Sequence, residues 1–163
     1  MKVQDAIKAA GVVPGFLWKA YIEDLTDDDM MVRPVEGANH IKWQIGHILV
    51  SQVGLVEAVC PGKMPALPED FADAYTKETA SSDDPSAFDS KEDLIRIADE
   101  QAAAINAIVD GLSDEELEKP MPEKFQRFGP DVAHLFAFLP SHWTMHAGQW
   151  AIIRRKLGKP PLF

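Results

Sequence analysis

The sequence holds a single cysteine, Cys60, among 163 residues. An intramolecular disulfide is therefore excluded. With no Cys-x-x-Cys pair, thiolate zinc sites and dithiol redox chemistry are excluded as well. Cys60 stands just before Pro61 and Gly62, where a helix is expected to end, and reads as a buried or half-buried thiol rather than a reactive one. Basic residues are also scarce. Lys and Arg number 16 against 26 Asp and Glu, a formal charge of −10. Such a surface repels phosphate backbones and argues against a nucleic-acid partner. The one basic stretch, "RRKLGK" at 154–159, falls near a helix end, where cations favour the dipole, and reads as a C-terminal cap. No run reaches the roughly 20 apolar residues of a membrane span. The first residues, "MKVQDAIKAAG", lack the shape of a signal peptide. The expectation is a cytoplasmic protein without a membrane partner. Four catalytic signatures are also missing: Gly-x-Ser-x-Gly, a phosphate loop, His-Glu-x-x-His and Glu-x-x-His. Their absence removes the serine-hydrolase elbow, nucleotide cradles, zincins and di-iron carboxylate bundles.

No region alternates at period two for long enough to make a sheet, whereas four stretches carry a helical stripe. The first runs from about residue 3 to 25, interrupted by Gly11 and Pro14, with a break or kink expected near Pro14. The second follows Asn39 as the expected N-cap and repeats Ile41, Ile45, Ile48, Gln52, Val56 and Val59 until Pro61 and Gly62 stop it. The third opens on Ser90 and repeats Leu94, Ile97, Gln101, Ile105, Ile108 and Leu112. The fourth is expected to start with Pro130 at its first position and to end at Gly158, with Pro140 inside it. Residues 61–90 are rich in Pro, Asp and Ser, and connections of that length usually cover something or carry part of a site. Within them "LPEDFADAYT" predicts a short helix with Phe71 and Tyr75 one turn apart. One domain over 1–163 is expected: an all-α four-helix bundle, up-down-down-up, with long crossover connections and the second and fourth helices adjacent.

The segment "SHWTMHAGQW" places His142 and His146 four residues apart. Residues at that spacing share a helix face, with Cβ atoms about 6 Å apart, so both rings can point at one ion. A pair alone is more often two satisfied core histidines. His47, inside "WQIGHILV" of the second helix, is the third imidazole that would complete a three-nitrogen site. Imidazole suits zinc, nickel, iron and copper, and three protein ligands leave a position open. His40 and His134 lie two helical turns from the nearest of these and read as cap or surface residues. Trp43, Trp143 and Trp150 read as packing around the site, although an aromatic stripe is more often plain core.

Two elements, "GANHIKWQIGHI" and "HWTMHAGQWAIIRRKLGKP", resemble the motifs of the DinB-like superfamily of metal-binding four-helix bundles, described together with the YfiT-like proteins. The matching positions are His47, His142 and His146, with Gly148 and Gln149 completing the second motif. The likeness extends over nearly the whole chain. It implies that these three histidines bind one divalent metal, zinc or nickel, in an open site. It implies a small-molecule substrate or ligand and use of a low-molecular-weight thiol by a transferase or hydrolase. A non-catalytic metal- or ligand-binding protein is the alternative. Gln149 is expected to steady a ligand histidine from outside the metal shell, and a homodimer is expected. The family's name refers to DNA-damage induction, not to DNA binding. No carboxylate neighbours the three histidines in sequence, so a general base would be metal-bound water or a loop residue such as Glu69, Asp70 or Asp73.

Overall fold

Three of the four long helices start where a side chain accepts a backbone N–H group that the first turn leaves unpaired. The computed structural model describes residues 1–163 and contains six α-helices and no strand. The four long ones are α1 (Val3–Ile22), α2 (Ile41–Glu57), α4 (Lys91–Gly111) and α6 (Val132–Lys156), joined through the single-turn helices α3 (Phe71–Ala74) and α5 (Asp114–Leu117). Ser90 caps α4 through Asp93 N–H, as expected. Ser113 and Glu116 form a reciprocal capping box on α5. Two expected starts are corrected. His40, not Asn39, caps α2: its Nδ1 accepts from the Trp43 N–H at 3.1 Å. α6 begins at Val132 rather than with Pro130 at its first position, and Asp131 caps it by accepting from the His134 N–H at 3.0 Å. The Pro130 carbonyl instead accepts from Met121 outside the helix. The break expected near Pro14 does not occur, and α1 is continuous through it. α6 likewise continues through Pro140 and stops at Gly158, whose φ of 73° ends the helix without the Cβ penalty other residues meet there.

Two apolar clusters mark the two ends of the bundle and fix the helix directions. One joins Trp18 and Ile22 late in α1, Ile41 and Ile45 early in α2, Leu94 and Ile97 early in α4, and Trp150 and Ile153 late in α6. The other joins Ile7, Val56, Val109 and Val132 from the opposite ends of the same helices. α1 and α6 therefore run one way and α2 and α4 the other, the up-down-down-up order. The parallel pair is tied along its length. Trp18 stacks on Trp143 with centroids 4.6 Å apart, and the buried Arg154 donates to the Tyr21 carbonyl at 3.0 Å and pairs with Asp24. Lys156 and Lys159 donate to the carbonyls of Arg33 and Asp24. The basic stretch thus fastens α6 to the end of α1 and the loop after it, beyond capping its own helix. Residues 58–90 cross the length of the bundle, whereas 112–131 stay at one end. No helix is long and apolar enough to cross a membrane.

Candidate metal centre

α2 and α6 pack side by side, and their facing stripes bring three imidazoles together. His142 and His146, one turn apart on α6, have ring centroids 4.9 Å apart. His47 of α2 stands 5.5 Å from the first ring and 5.7 Å from the second. One ligand nitrogen from each of the three can be chosen so that all lie within 4.8 Å of one another. The two Nε2 atoms of the α6 pair are 3.2 Å apart. Two nitrogens about 2.1 Å from a common ion lie about 3.0 Å apart at a right angle and about 3.4 Å apart at the tetrahedral angle. The pair is therefore already spaced for chelation.

Each ring is held by a different device. The indole of Trp43 stacks on His47 almost parallel, 5° between planes and 4.9 Å between centroids. That indole is fixed in turn by the long loop: its Nε1–H donates to the Thr76 carbonyl at 3.0 Å and the Thr79 hydroxyl at 3.2 Å. Phe138, one turn before His142, lies against its ring at 21° and 5.7 Å. His146 is held by Gln44. The indole Nε1–H of Trp150 can only donate, so the amide atom it meets at 2.8 Å is the Gln44 oxygen. The Gln44 amino group donates to the Asn39 carbonyl at 2.6 Å, which agrees. The same oxygen lies 3.0 Å from His146 Nδ1. An acceptor at Nδ1 requires the proton there, which leaves the Nε2 lone pair facing the other rings. This is the tautomer a metal ligand needs.

Burial presses all three rings toward neutrality. The pKa of His142 is pushed down to about 4 by burial and then by the charge of His47. That of His146 is also pushed down to about 4, by burial and then by its two neighbours. His47 is lowered by burial alone. Neutral imidazoles with free lone pairs are the form that binds metal. No carboxylate belongs to the cluster or pairs with any of its rings. The buried Nδ1 of His142 has no partner. That nitrogen faces away from the Nε2 pair, so His142, unlike His146, has no hydrogen bond that fixes its tautomer.

The other expected site residues lie elsewhere. Gln149 is exposed and makes no hydrogen bond, because its position turns it away from α2. The steadying role expected of it belongs to Gln44, one turn before His47 on the opposite helix. The signal was a glutamine embedded in the otherwise apolar run "WQIGHI". Glu69, Asp70 and Asp73 are all exposed and none joins the cluster. Asp70, at φ 59°, makes the left-handed turn into α3. His134 is exposed and pairs with its cap, Asp131, at 2.7 Å. Trp150 bonds Gln44, and Trp143 turns to Trp18 and donates to Gln52 at 2.7 Å. Cys60 is buried, and burial pushes its thiol pKa up, as an inert thiol requires.

A four-helix bundle of this order, with three neutral imidazoles on two helices and no fourth protein ligand, defines a class of open divalent-metal site. The chain belongs to the DinB superfamily, whose family model matches residues 17–150. Among solved structures it is similar to YfiT from Bacillus subtilis, described as "a probable metal-dependent hydrolase with an unusual four-helix bundle topology". The TM-score is 0.63 and the identity 15%, over 96% of this chain and 89% of that one. No curated protein sequence matches the chain.

Proposed function

We propose that His47, His142 and His146 hold one zinc or nickel ion, and that the protein is a metal-dependent enzyme acting on a small molecule with a low-molecular-weight thiol as co-substrate. The observation that carries this is the convergence of three neutral imidazoles on one point with no carboxylate and no fourth protein donor. When bound, such an ion supplies Lewis acidity, polarising a substrate oxygen or sulfur and making water or a thiol more acidic. The chain's own groups do the rest. Gln44 keeps the proton on His146 Nδ1, and Trp43 and Phe138 flank the outer rings and exclude water from them. Hydrolysis would need a base to take a proton from water, and no side chain beside the rings supplies one. A thiol, with an ordinary pKa of about 8.5, needs far less help. Thiol transfer is therefore favoured over hydrolysis, the activity ascribed to YfiT.

Elemental analysis of protein purified without a metal-affinity tag should show about one equivalent of zinc or nickel, reduced at least tenfold in His142→Ala. The loaded protein, screened with small electrophiles in the presence and absence of cellular thiols, should turn over only with metal. Tight ligand binding without turnover would point to the non-catalytic binding protein instead. We also propose a homodimer. Val13 and Phe16 on α1 and Met145 and Ile152 on α6 leave apolar side chains exposed on adjacent helices. Sedimentation equilibrium should report twice the chain mass, falling to one chain in Ile152→Glu.

A further inference from the structure

The short 3-10 helix Glu123–Phe128, in the connection before α6, sorts its residues by chemistry. Positions three apart eclipse in such a helix. Phe125 and Phe128 therefore share one stripe, Lys124 and Arg127 a second, and Glu123 and Gln126 a third. The aromatic stripe packs on α6: Phe128 lies 4.5 Å from Phe138, which in turn flanks His142. We propose that this helix is a specificity element of the metal centre. It selects a thiol co-substrate with a carboxylate on an apolar stem: the stem lies along Phe138 and Phe128, and Arg127 and Lys124 hold the carboxylate. The inference rests on the metal- and thiol-dependent reading above and says what the thiol must carry.

The direction of the stem follows from what surrounds the rings. Toward the start of α2 and the end of α6 the seam is filled by the buried Trp43, Gln44 and Trp150. In the opposite direction α2 presents Ser51 and Gly54, one and two turns beyond His47. Gly54 is exposed, and a Cβ there would meet nothing within 4 Å. On α6 the position one turn before His142 is Phe138, half-buried like Phe125 and Phe128. This side of the seam thus carries an aromatic wall that starts at a ligand histidine and ends beside two cations.

The carboxylate follows from the charges. Lys124 Nζ stands 4.6 Å from the Phe125 centroid and Arg127 Cζ 4.7 Å from that of Phe128, so the basic stripe leans over the aromatic one. Both cations are exposed and neither forms an ion pair. Glu123 falls on the third stripe, and Asp131 is taken by His134. In a chain of net charge −10, two neighbouring cations without partners are free to meet an anion. The guanidinium fork matches a carboxylate in shape as well as charge. With 4.7 Å from Cζ to Phe128, 4.5 Å on to Phe138 and 5.7 Å on to His142, the guanidinium lies within about 15 Å of that imidazole, a span for a small molecule. The cations also stand on a fixed backbone. Met121 N–H donates to the Pro130 carbonyl and Val132 N–H to the Lys119 carbonyl, both at 3.0 Å, and close the loop that carries them.

The probe is 6-mercaptohexanoate, compared with its uncharged amide, 6-mercaptohexanamide. Each is titrated into cobalt-loaded protein, whose thiolate-to-metal absorption reports sulfur ligation, and into zinc-loaded protein by calorimetry. Both thiols should ligate, and the carboxylate should bind at least tenfold more tightly, with the preference shrinking as salt is added. The double variant Lys124→Gln, Arg127→Gln should lose at least fivefold of that preference and keep its affinity for the amide within twofold. Arg155→Gln, which removes an exposed charge elsewhere, should keep the preference. Both helix positions are solvent-exposed, and an unchanged melting transition checks that the double variant is folded. Equal affinity for acid and amide, or a preference that survives the double variant, would overturn the proposal and leave the metal and thiol reading standing. Absence of sulfur ligation by either thiol would overturn both.

Discussion

Gln44 has no exposed surface and makes three bonds, to Asn39, His146 and Trp150. Replacing it with leucine keeps the volume approximately and leaves two buried N–H groups without an acceptor. Each such orphan costs about 1–3 kcal/mol, so a loss of about 2 kcal/mol or more in urea denaturation is expected. The His146 ring also loses the partner that fixes its tautomer, and losses of that kind lower metal affinity by roughly 10–100-fold. Competition against a chromophoric chelator measures this. Unchanged affinity in a folded Gln44→Leu protein would remove Gln44 from the site. The three histidines were legible in the sequence because their spacing is one-dimensional: i and i+4 on one helix, plus an imidazole in the apolar middle of another. Gln44 was not singled out. Its bonds run between α2 and α6, more than 100 positions apart in the chain, and the one local signal, a polar residue in "WQIGHI", does not say which partner it meets. Gln149 drew attention by its place in the motif, yet a helix position next to a ligand can still face solvent.

At the scale of elements, the crossover of residues 58–90 grips α2 at one backbone position. A Cβ on Gly46 would lie 2.2 Å from the ring of Tyr75, whose hydroxyl donates to Asp89 at 2.8 Å and accepts from the Asp89 N–H at 3.0 Å. Gly46→Ala gains about 1 kcal/mol of helix propensity. It also forces the Tyr75 ring away, and overpacking of this kind costs about 1–3 kcal/mol. The net expectation is destabilisation, with faster proteolysis within 61–90 and a weaker hold on Trp43 and so on His47. A melting temperature equal to or above that of the parent would show that the loop gives way freely. The helices themselves were readable because each has a clean apolar stripe. Their first residues were less so, because His40 and Asn39 are adjacent candidates and only the geometry of the turn decides between them. The expected break at Pro14 failed for a similar reason. Packing of α1 against α6 through Trp18 and Trp143 holds the helix through a residue that would interrupt it in isolation.

For the molecule as a whole, buried histidines set the response to acid. His40 has no exposed surface, and its pKa is pushed from 6.5 down to about 4 by burial and then by the charge of Arg33. His142 and His146 are lowered to about 4 as well. The unfolded chain protonates these rings below about pH 6.5 while the folded one resists until about pH 4. Stability is therefore complete above pH 6.5 and lost as the pH falls toward 4. For His40 alone the difference is of order 3 kcal/mol. Urea titrations of metal-free protein across that window should show the fall. His40→Asn, which keeps a capping side chain but cannot titrate, should make it shallower. A flat profile would mean that water reaches these rings freely.

The up-down-down-up order has a further consequence for how the chain is made. α1 lies beside α6, so α1 must wait for α6 to be made before it finds its longest neighbour. His47 likewise waits 95 positions for His142. Native contacts this distant in sequence slow folding, because loop closure comes before any gain from packing. A nascent chain halted before residue 142 has only one of the three imidazoles and an unpartnered α1 stripe, so metal capture by all three must await His146.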